Sequence, residues 1–556
     1  MRGTLRRSGW WFALSLLVVV GSRSLAQPNI VLVMADDLGW CDTSNSLTTM
    51  GHPSDFYETP AIDRLAAEGM AFTNAYTNGT NCAPTRAAIL SGQWAQRPTN
   101  NVYQVQSLNR GGDDAILIGP PQGLPRNANA IPTRTLTYAE HLRNNADYAT
   151  AHVGKFHVAT SGRRITQQHG FHHNLGGGRA GAPSAYHSDS GEFGPNISSS
   201  LDVFAGHYNH DYVERHIKPH ARNHRAEHID PLVGTPVHVS DAMADAAIWF
   251  MQEQKSKPFL VQFHPFAVHT PIGKKHARKD LLVKYEAKEP GEQDSHASFA
   301  ALIEGLDQSV ARLIHYLQTT DDPRNPGQTL DKNTLVIFYS DNGGKLPQSN
   351  NGPLRGQKGE LREGGIRVPM IAWSGNPKLV DAGTVNDTPV YGIDFYTTFA
   401  ALSGAGLPDG VTLDGADLSG ILADADKSLE RDALYWHLPG YLIGGGRDQR
   451  PQSVIRSGKW KLLYNYEDQS FELYDLETDI GEANNLAAGE AQVVRELGTK
   501  LMQWLADTSA PLPSLRSGEL EVDAAGPYYA DGEMGESSGK MVIQAGEQVP
   551  FVLPAQ

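Results

Sequence analysis

The sequence predicts an α/β protein: a large central, mostly parallel mixed sheet flanked by helices, with a smaller C-terminal α+β subdomain carrying an antiparallel sheet. Three observations predict it. Residues 28–34, 258–264 and 334–340 are short, continuous, β-branched or aromatic apolar runs, the pattern of strands buried on both faces of a parallel sheet. Residues 58–69 and 298–317 carry apolar side chains at helical spacing. Beyond a Gly- and Asp-rich stretch at 403–427, short strand patterns separated by turns replace this alternation.

Taken in order, Arg2, Arg6 and Arg7 precede the apolar run 10–20, and Ser24 and Ala26 are small residues where a signal peptidase reads. The run is short for a membrane span. Residues 1–26 are expected to be a cleaved export signal, giving a periplasmic or secreted protein with no stable membrane span; an uncleaved anchor is the alternative. The first core strand leads into Asp36-Asp37, two adjacent carboxylates at the strand end where open α/β sheets hold ligands. They repel unless a cation or donors lie between them.

Thr59-Pro60 starts a helix that Gly69 closes, and residues 71–76 read as the strand delivering Asn81-Cys82-Ala83-Pro84-Thr85-Arg86. Pro84 suits a first helical turn, so Cys82 falls beside unpaired amides at the positive end of a helix dipole. That place suits an anionic nucleophile, and equally admits a buried structural thiol. Residues 93–132, rich in Pro, Gly and Asn, read as loops at the mouth of the site. In an extended reading of 148–158, Lys155 and His157 point to one side, because the side-chain period is two.

Residues 141–230 hold 13 of the 21 histidines without a compact ligand spacing. They read as an irregular insertion over the pocket, with a metal-binding tract as the alternative. His269-Thr270-Pro271 lies past the strand at 258–264, and Asp341-Asn342 ends the strand at 334–340. Together with Asp36 and Asp37, this is an all-oxygen set that suits calcium, and less well magnesium, better than zinc. Strands at 452–456, 460–464 and 472–476 and a helix at 490–506 make the C-terminal part. From Ser517 the polar, Gly-rich tail is expected to be loosely ordered, with 549–553 able to dock. The resulting domains are 1–26, a catalytic domain at 27–427, and a subdomain and tail at 428–556.

The 556 residues can bury a large core. A net charge of -15 disfavours nucleic acid or an anionic membrane as a partner. Of the two cysteines, Cys41 has no partner if Cys82 is modified, so stability is expected from packing and not from disulfides, and Cys41 reads as a small buried hydrophobe.

The ordered segments Asp36-Asp37, Cys82-Ala83-Pro84-Thr85-Arg86, Gly154-Lys155-Phe156-His157, His269-Thr270-Pro271, and Asp341-Asn342 with Lys358 resemble those of the type I sulfatase family, of the alkaline-phosphatase-like superfamily. Phe156 stands where the family has Trp, and Cys41 where it usually has Gly. The resemblance spans most of the chain. It implies that Cys82 is oxidised to Cα-formylglycine (3-oxoalanine) by a formylglycine-generating or equivalent maturation enzyme. It further implies that Asp36, Asp37, residue 82, Asp341 and Asn342 bind the divalent ion.

The implied reaction is attack on sulfur by one hydroxyl of the formylglycine hydrate. The second hydroxyl then loses its proton, to His157 on this reading, and the aldehyde re-forms with release of sulfate. Arg86 holds the diol, Lys155 and Lys358 bind sulfate oxygens, and His269, with Lys358, faces the departing oxygen. Three carboxylates against a divalent ion and three side-chain cations leave a net positive pocket in an acidic protein. Export makes a sulfated saccharide the expected substrate, with Arg222, Arg225 and Tyr435-Trp436-His437 as candidate sugar contacts or, alternatively, ordinary surface and core residues. The rival readings are a phosphate or phosphonate ester hydrolase of the same superfamily and a non-catalytic sulfated-glycan binding protein.

Overall fold

The computed structural model describes residues 27–100, 102, 114–121, 130–442 and 449–554. The export signal expected at 1–26 lies outside the described residues. Eight strands form the central sheet: β1 (Asn29–Ala35), β2 (Met70–Phe72), β3 (Ala149–Gly154), β4 (His173–Leu175), β5 (Phe259–His264), β6 (Thr334–Ser340), β7 (Met370–Trp373) and β8 (Thr384–Asn386). Their spatial order is β8-β2-β7-β6-β1-β5-β3-β4. All pairs are parallel except β2–β7 and β6–β7. The mixed, mostly parallel sheet expected from the sequence is therefore present.

β1 is buried along its whole length because each face has its own cover. Val31, Val33 and Ala35 join a core built with the helices Val239–Gln254 and Ala297–Thr319. Ile30, Leu32 and Met34 join the opposite core, with Ala83, Ala87, Ile89 and Leu90 of helix α1 (Cys82–Ser91). A continuous apolar run is what such a two-sided strand requires.

Register brings the site together. Ala35 pairs with Ser340, so Asp36 and Asp341 emerge side by side at the carboxyl edge of the sheet. Gly154 pairs with His264, which brings Lys155 to the same edge.

Four expectations need correction. Residues 71–76 are not one strand: β2 ends at Phe72, and Ala75–Tyr76 pairs separately with Val390–Tyr391. The strand at 148–158 stops at Gly154, and His157 has φ of 72°. A left-handed turn, not pleat alternation, therefore sets its direction. The tail is ordered: Glu519–Asp523 pairs with Lys540–Gln544, and Gly526–Ala530 lies between Glu533–Ser537 and Phe551–Val552. Of the loops expected at 93–132, residues 101, 103–113 and 122–129 lie outside the described residues, and Leu117–Ile118 is a short strand paired with Ser514–Leu515.

The four-stranded antiparallel sheet of Leu434–Leu438, Gln452–Ser457, Trp460–Asn465 and Ser470–Asp475 is present, with the helix Ala491–Asp507. Lys461 Nζ is clamped between Glu363 Oε1 (2.9 Å) and Glu482 Oε1 (3.0 Å), with all three side chains buried. This ties the C-terminal sheet to the segment that carries Lys358.

Candidate active site

Cys82 is the first residue of α1, with Asn81 extended before it and Gly92, at φ of 65°, closing the helix. Residue 82 is buried at the helix N-terminus, where unpaired amides and the dipole favour negative charge. Its ligand atom lies within 4.8 Å of carboxylate oxygens of both Asp36 and Asp341.

The cations meet these acids directly. Lys155 Nζ lies 2.7 and 2.8 Å from the two Asp36 oxygens. Arg86 places Nε at 2.9 Å and Nη2 at 2.7 Å from Asp341 Oδ2. Lys358 Nζ is 2.5 Å from Asp37 Oδ1, and His269 Nε2 is 3.6 Å from Asp37 Oδ2. Asn342 Nδ2 donates to Asp37 Oδ1 at 2.9 Å. His269 Nδ1 lies 2.9 Å from the Thr270 carbonyl, which can only accept, so Nδ1 carries a proton. The predicted residues from all five segments thus converge at one edge of the sheet.

Burial and the Asp341 and Asp37 carboxylates push Asp36 up, against Lys155 and Arg86. Burial also acts to raise Asp37, but Lys358, His269 and Lys155 overcome it and hold that carboxyl well below the usual range. The Cys82 thiol is pushed up by burial despite Lys155 and Lys358. Burial, reinforced by Lys155 and Arg86, drives His157 well below an ordinary imidazole. Burial, with Lys358 and Lys155 and against Asp37, lowers His269 to about 3.

This donor set fits a hard divalent cation. Asp36, Asp37 and Asp341 converge, and Asn342 Oδ1 is buried with no hydrogen-bond partner. A cation here would satisfy that oxygen and relieve the carboxylate repulsion.

Other expectations fall elsewhere. Trp436 is 1% exposed and donates from Nε1 to Thr77 O, while Tyr435 stacks on Trp504 at 4.9 Å. His437 spans Ser453 Oγ and Pro511 O. The stretch is core, not a sugar platform. Arg222 lines a cavity with Arg64, His220 and His315, and Arg225 pairs with Glu227 at the surface. Among the described residues the histidines of 141–230 form no metal cluster; His224, for example, is buried against Glu304 at 2.6 Å. Cys41 is buried beside Trp40 and Leu354.

Two residues around the site escaped the sequence reading. Tyr186 Oη lies 2.7 Å from the Phe266 carbonyl and 2.6 Å from the His269 carbonyl and shares its one proton between them, bracing the loop after β5. His264 contacts Arg86 from below. Its only sequence signal is a polar residue at the carboxyl end of a buried strand.

A sulfatase family model matches residues 28–405, and a model described as N-sulphoglucosamine sulphohydrolase, C-terminal, matches residues 357–509. A protein named sulfatase from Formosa agariphila is 35% identical over 522 residues, covering 87% of this chain and 90% of its own. Human arylsulfatase A is 28% identical over 530 residues, covering 88% and 89%. The crystal structure of Ps i-CgsB in complex with k-i-k-neocarrahexaose matches with a TM-score of 0.61 at 25% identity, covering 86% of this chain and 92% of that one. Among the described residues, no helix is long and apolar enough to cross a membrane. The chain belongs to the sulfatase family of the alkaline-phosphatase-like superfamily, and is a sulfuric ester hydrolase.

Proposed function

We propose that this protein removes sulfate from an exported or extracellular sulfated carbohydrate, using Cys82 matured to formylglycine beside a calcium ion held by Asp36, Asp37, residue 82, Asp341 and Asn342. The observation that carries the reading is the position of residue 82 at a helix N-terminus, within 4.8 Å of Asp36 and Asp341 oxygens. A carbohydrate substrate is supported by the neocarrahexaose complex of a structural relative and by a second structure solved with D-glucosamine-2-N,6-O-disulfate, itself 19% identical. The proposed domains are 27–427 and 428–556, after a cleaved signal at 1–26. A formylglycine-generating or equivalent enzyme is the maturation partner.

When bound, the divalent ion supplies Lewis-acid charge at sulfate and lowers the pKa of a nearby hydroxyl. The aldehyde, as its hydrate, supplies a nucleophilic hydroxyl and a second one through which sulfate can be expelled.

The chain's own residues do the rest. Lys155 and Lys358 supply positive charge for sulfate oxygens where water is excluded, which strengthens each contact. Arg86, fixed by Asp341, orients residue 82. Burial and the neighbouring cations favour the neutral form of His157, and its buried Nδ1 has no hydrogen-bond partner, which leaves that position open towards the second hydroxyl. His269 directs Nε2 towards Asp37 on the leaving-group side; with the ring proton held on Nδ1 by the Thr270 carbonyl, it gives acid assistance, worth about 10²–10⁴-fold, only once Nε2 is also protonated, and Lys358 supplies the charge there otherwise.

The test compares sulfate, phosphate and phosphonate release from matched aryl esters, then screens defined sulfated oligosaccharides. Sulfate release from both sets supports the proposal. Predominant phosphate or phosphonate turnover, or activity on aryl sulfates with none on any saccharide, would overturn it.

A further inference from the structure

At the end of β5, His264 reaches two of the site's cations by separate routes. Its carbonyl accepts from the Lys155 backbone N–H at 2.8 Å, and its Nδ1 lies 3.2 Å from Arg86 Nη1. A guanidinium cannot accept, so Nδ1 is the acceptor and the ring proton sits on Nε2. His264 is 2% exposed.

Its neighbour His152 meets it edge to face, with ring centroids 5.5 Å apart at 85°. His152 is locked in turn: Nε2 donates to Gly154 O at 2.9 Å, and Nδ1 accepts from Gln262 Nε2 at 2.8 Å. Gln262 Oε1 accepts from Tyr138 Oη. A layer of oriented imidazoles therefore lies under Arg86.

The Arg86 guanidinium has three anchors. Nε and Nη2 grip Asp341, while Nη1 donates to Lys155 O at 2.7 Å and to His264. Asp341 fixes one edge of the guanidinium; the Nη1 contacts fix its opposite corner and so its roll. A carboxylate in place of His264 would also hold that corner, but would cancel charge the site needs for an anionic substrate. A ring nitrogen holds it without charge.

We propose that His264 is a positioning residue: through Nδ1 it sets the plane of the Arg86 guanidinium, and through its carbonyl the start of the Lys155 turn, so that both cations face residue 82. This rests on the catalytic reading given above. Asn at 264 places an amide oxygen near the Nδ1 position, Gln near the Nε2 position, and both remain polar and of similar bulk.

The test uses the full-length, aldehyde-bearing, metal-loaded enzyme and its His264→Asn and His264→Gln variants. Measured are kcat and KM on 4-nitrophenyl sulfate and on the sulfated oligosaccharides, with melting temperature, metal content and aldehyde content. His264→Asn is expected to keep kcat within about threefold of the parent, whereas His264→Gln loses about 100-fold in kcat with KM little changed, the scale of a misplaced reacting group. Both should retain matching melting temperature, metal and aldehyde. Equal kcat for the two variants, at any level, would overturn the positioning role, and so would a Gln loss that tracks lost folding or lost aldehyde. If the parent enzyme releases no sulfate from any substrate, the catalytic reading fails, and the positioning role falls with it. If the parent is active and the variants are equal, only the positioning role fails.

Discussion

Lys155 Nζ lies between the two oxygens of Asp36, at 2.7 and 2.8 Å, and neither side chain has accessible surface. An ion pair so buried matters most when one partner is removed, because the other is left without solvent or counter-charge. Lys155→Met in chelated protein is expected to lose about 3–5 kcal/mol of stability, measured by denaturant unfolding. Restoring calcium should recover part of that loss by giving Asp36 a new partner. Equal losses with and without calcium would show that Asp36 does not face the ion.

Asp341 serves two masters, the proposed cation and Arg86. Asp341→Ala is expected to lose bound metal and all sulfate release, with the metal read by elemental analysis of dialysed protein. Full metal content in the variant would place the ligand shell elsewhere.

The Lys461 clamp links the C-terminal sheet to the segment carrying Glu363. Lys461→Met removes the cation that Glu363 and Glu482 share, leaving Glu363 to Arg367 and Glu482 to the more distant Arg362, and should lower the unfolding free energy by at most about 3–5 kcal/mol. Calorimetry showing an unchanged transition would mean that the clamp contributes nothing net.

Burial acts to raise Glu304, but the hydrogen bond from His224 and the charge of Lys284 bring it from 4.5 down to about 2. A carboxyl depressed in the folded state stabilises fully above its unfolded pKa, and the contribution disappears as pH falls from 4.5 through about 2. The parent protein should therefore lose melting temperature between pH 5 and 3 more steeply than Glu304→Gln. Parallel pH profiles would contradict the assignment.

The site was largely legible in the sequence because each of its acids follows an uninterrupted apolar strand, and parallel register carries adjacent strand ends to one edge. The family resemblance joined Asp36 and Asp341 in one set, and their places after buried strands agreed with it, but that their two strands are neighbours is seen only in the fold. His157 falls among the cations of the site, but the pleat argument for its direction fails, since a left-handed turn is a choice that local side-chain alternation does not reveal. The tail was misread for a different reason. Its strands bury few side chains, chiefly Val522, Tyr529, Ile543 and Phe551, so a one-dimensional pattern shows a polar chain. The docking read for 549–553 holds, with Phe551 against Tyr464 at 4.4 Å between ring centroids, whereas the pairing of the strands before it is revealed only by the tertiary fold. Tyr435-Trp436-His437 stayed open between a sugar contact and the core, because aromatic residues on a strand look the same whether they face a ligand or the Thr77 and Trp504 that cover them.

The most direct test of the central claim is to quantify the residue-82 peptide by mass spectrometry across preparations matured to different extents, alongside sulfate release from one aryl sulfate. Specific activity is expected to rise in proportion to the aldehyde fraction and to vanish where residue 82 is wholly thiol, or is alanine in a folded Cys82→Ala protein. Full sulfatase activity from protein carrying only the thiol would contradict the account.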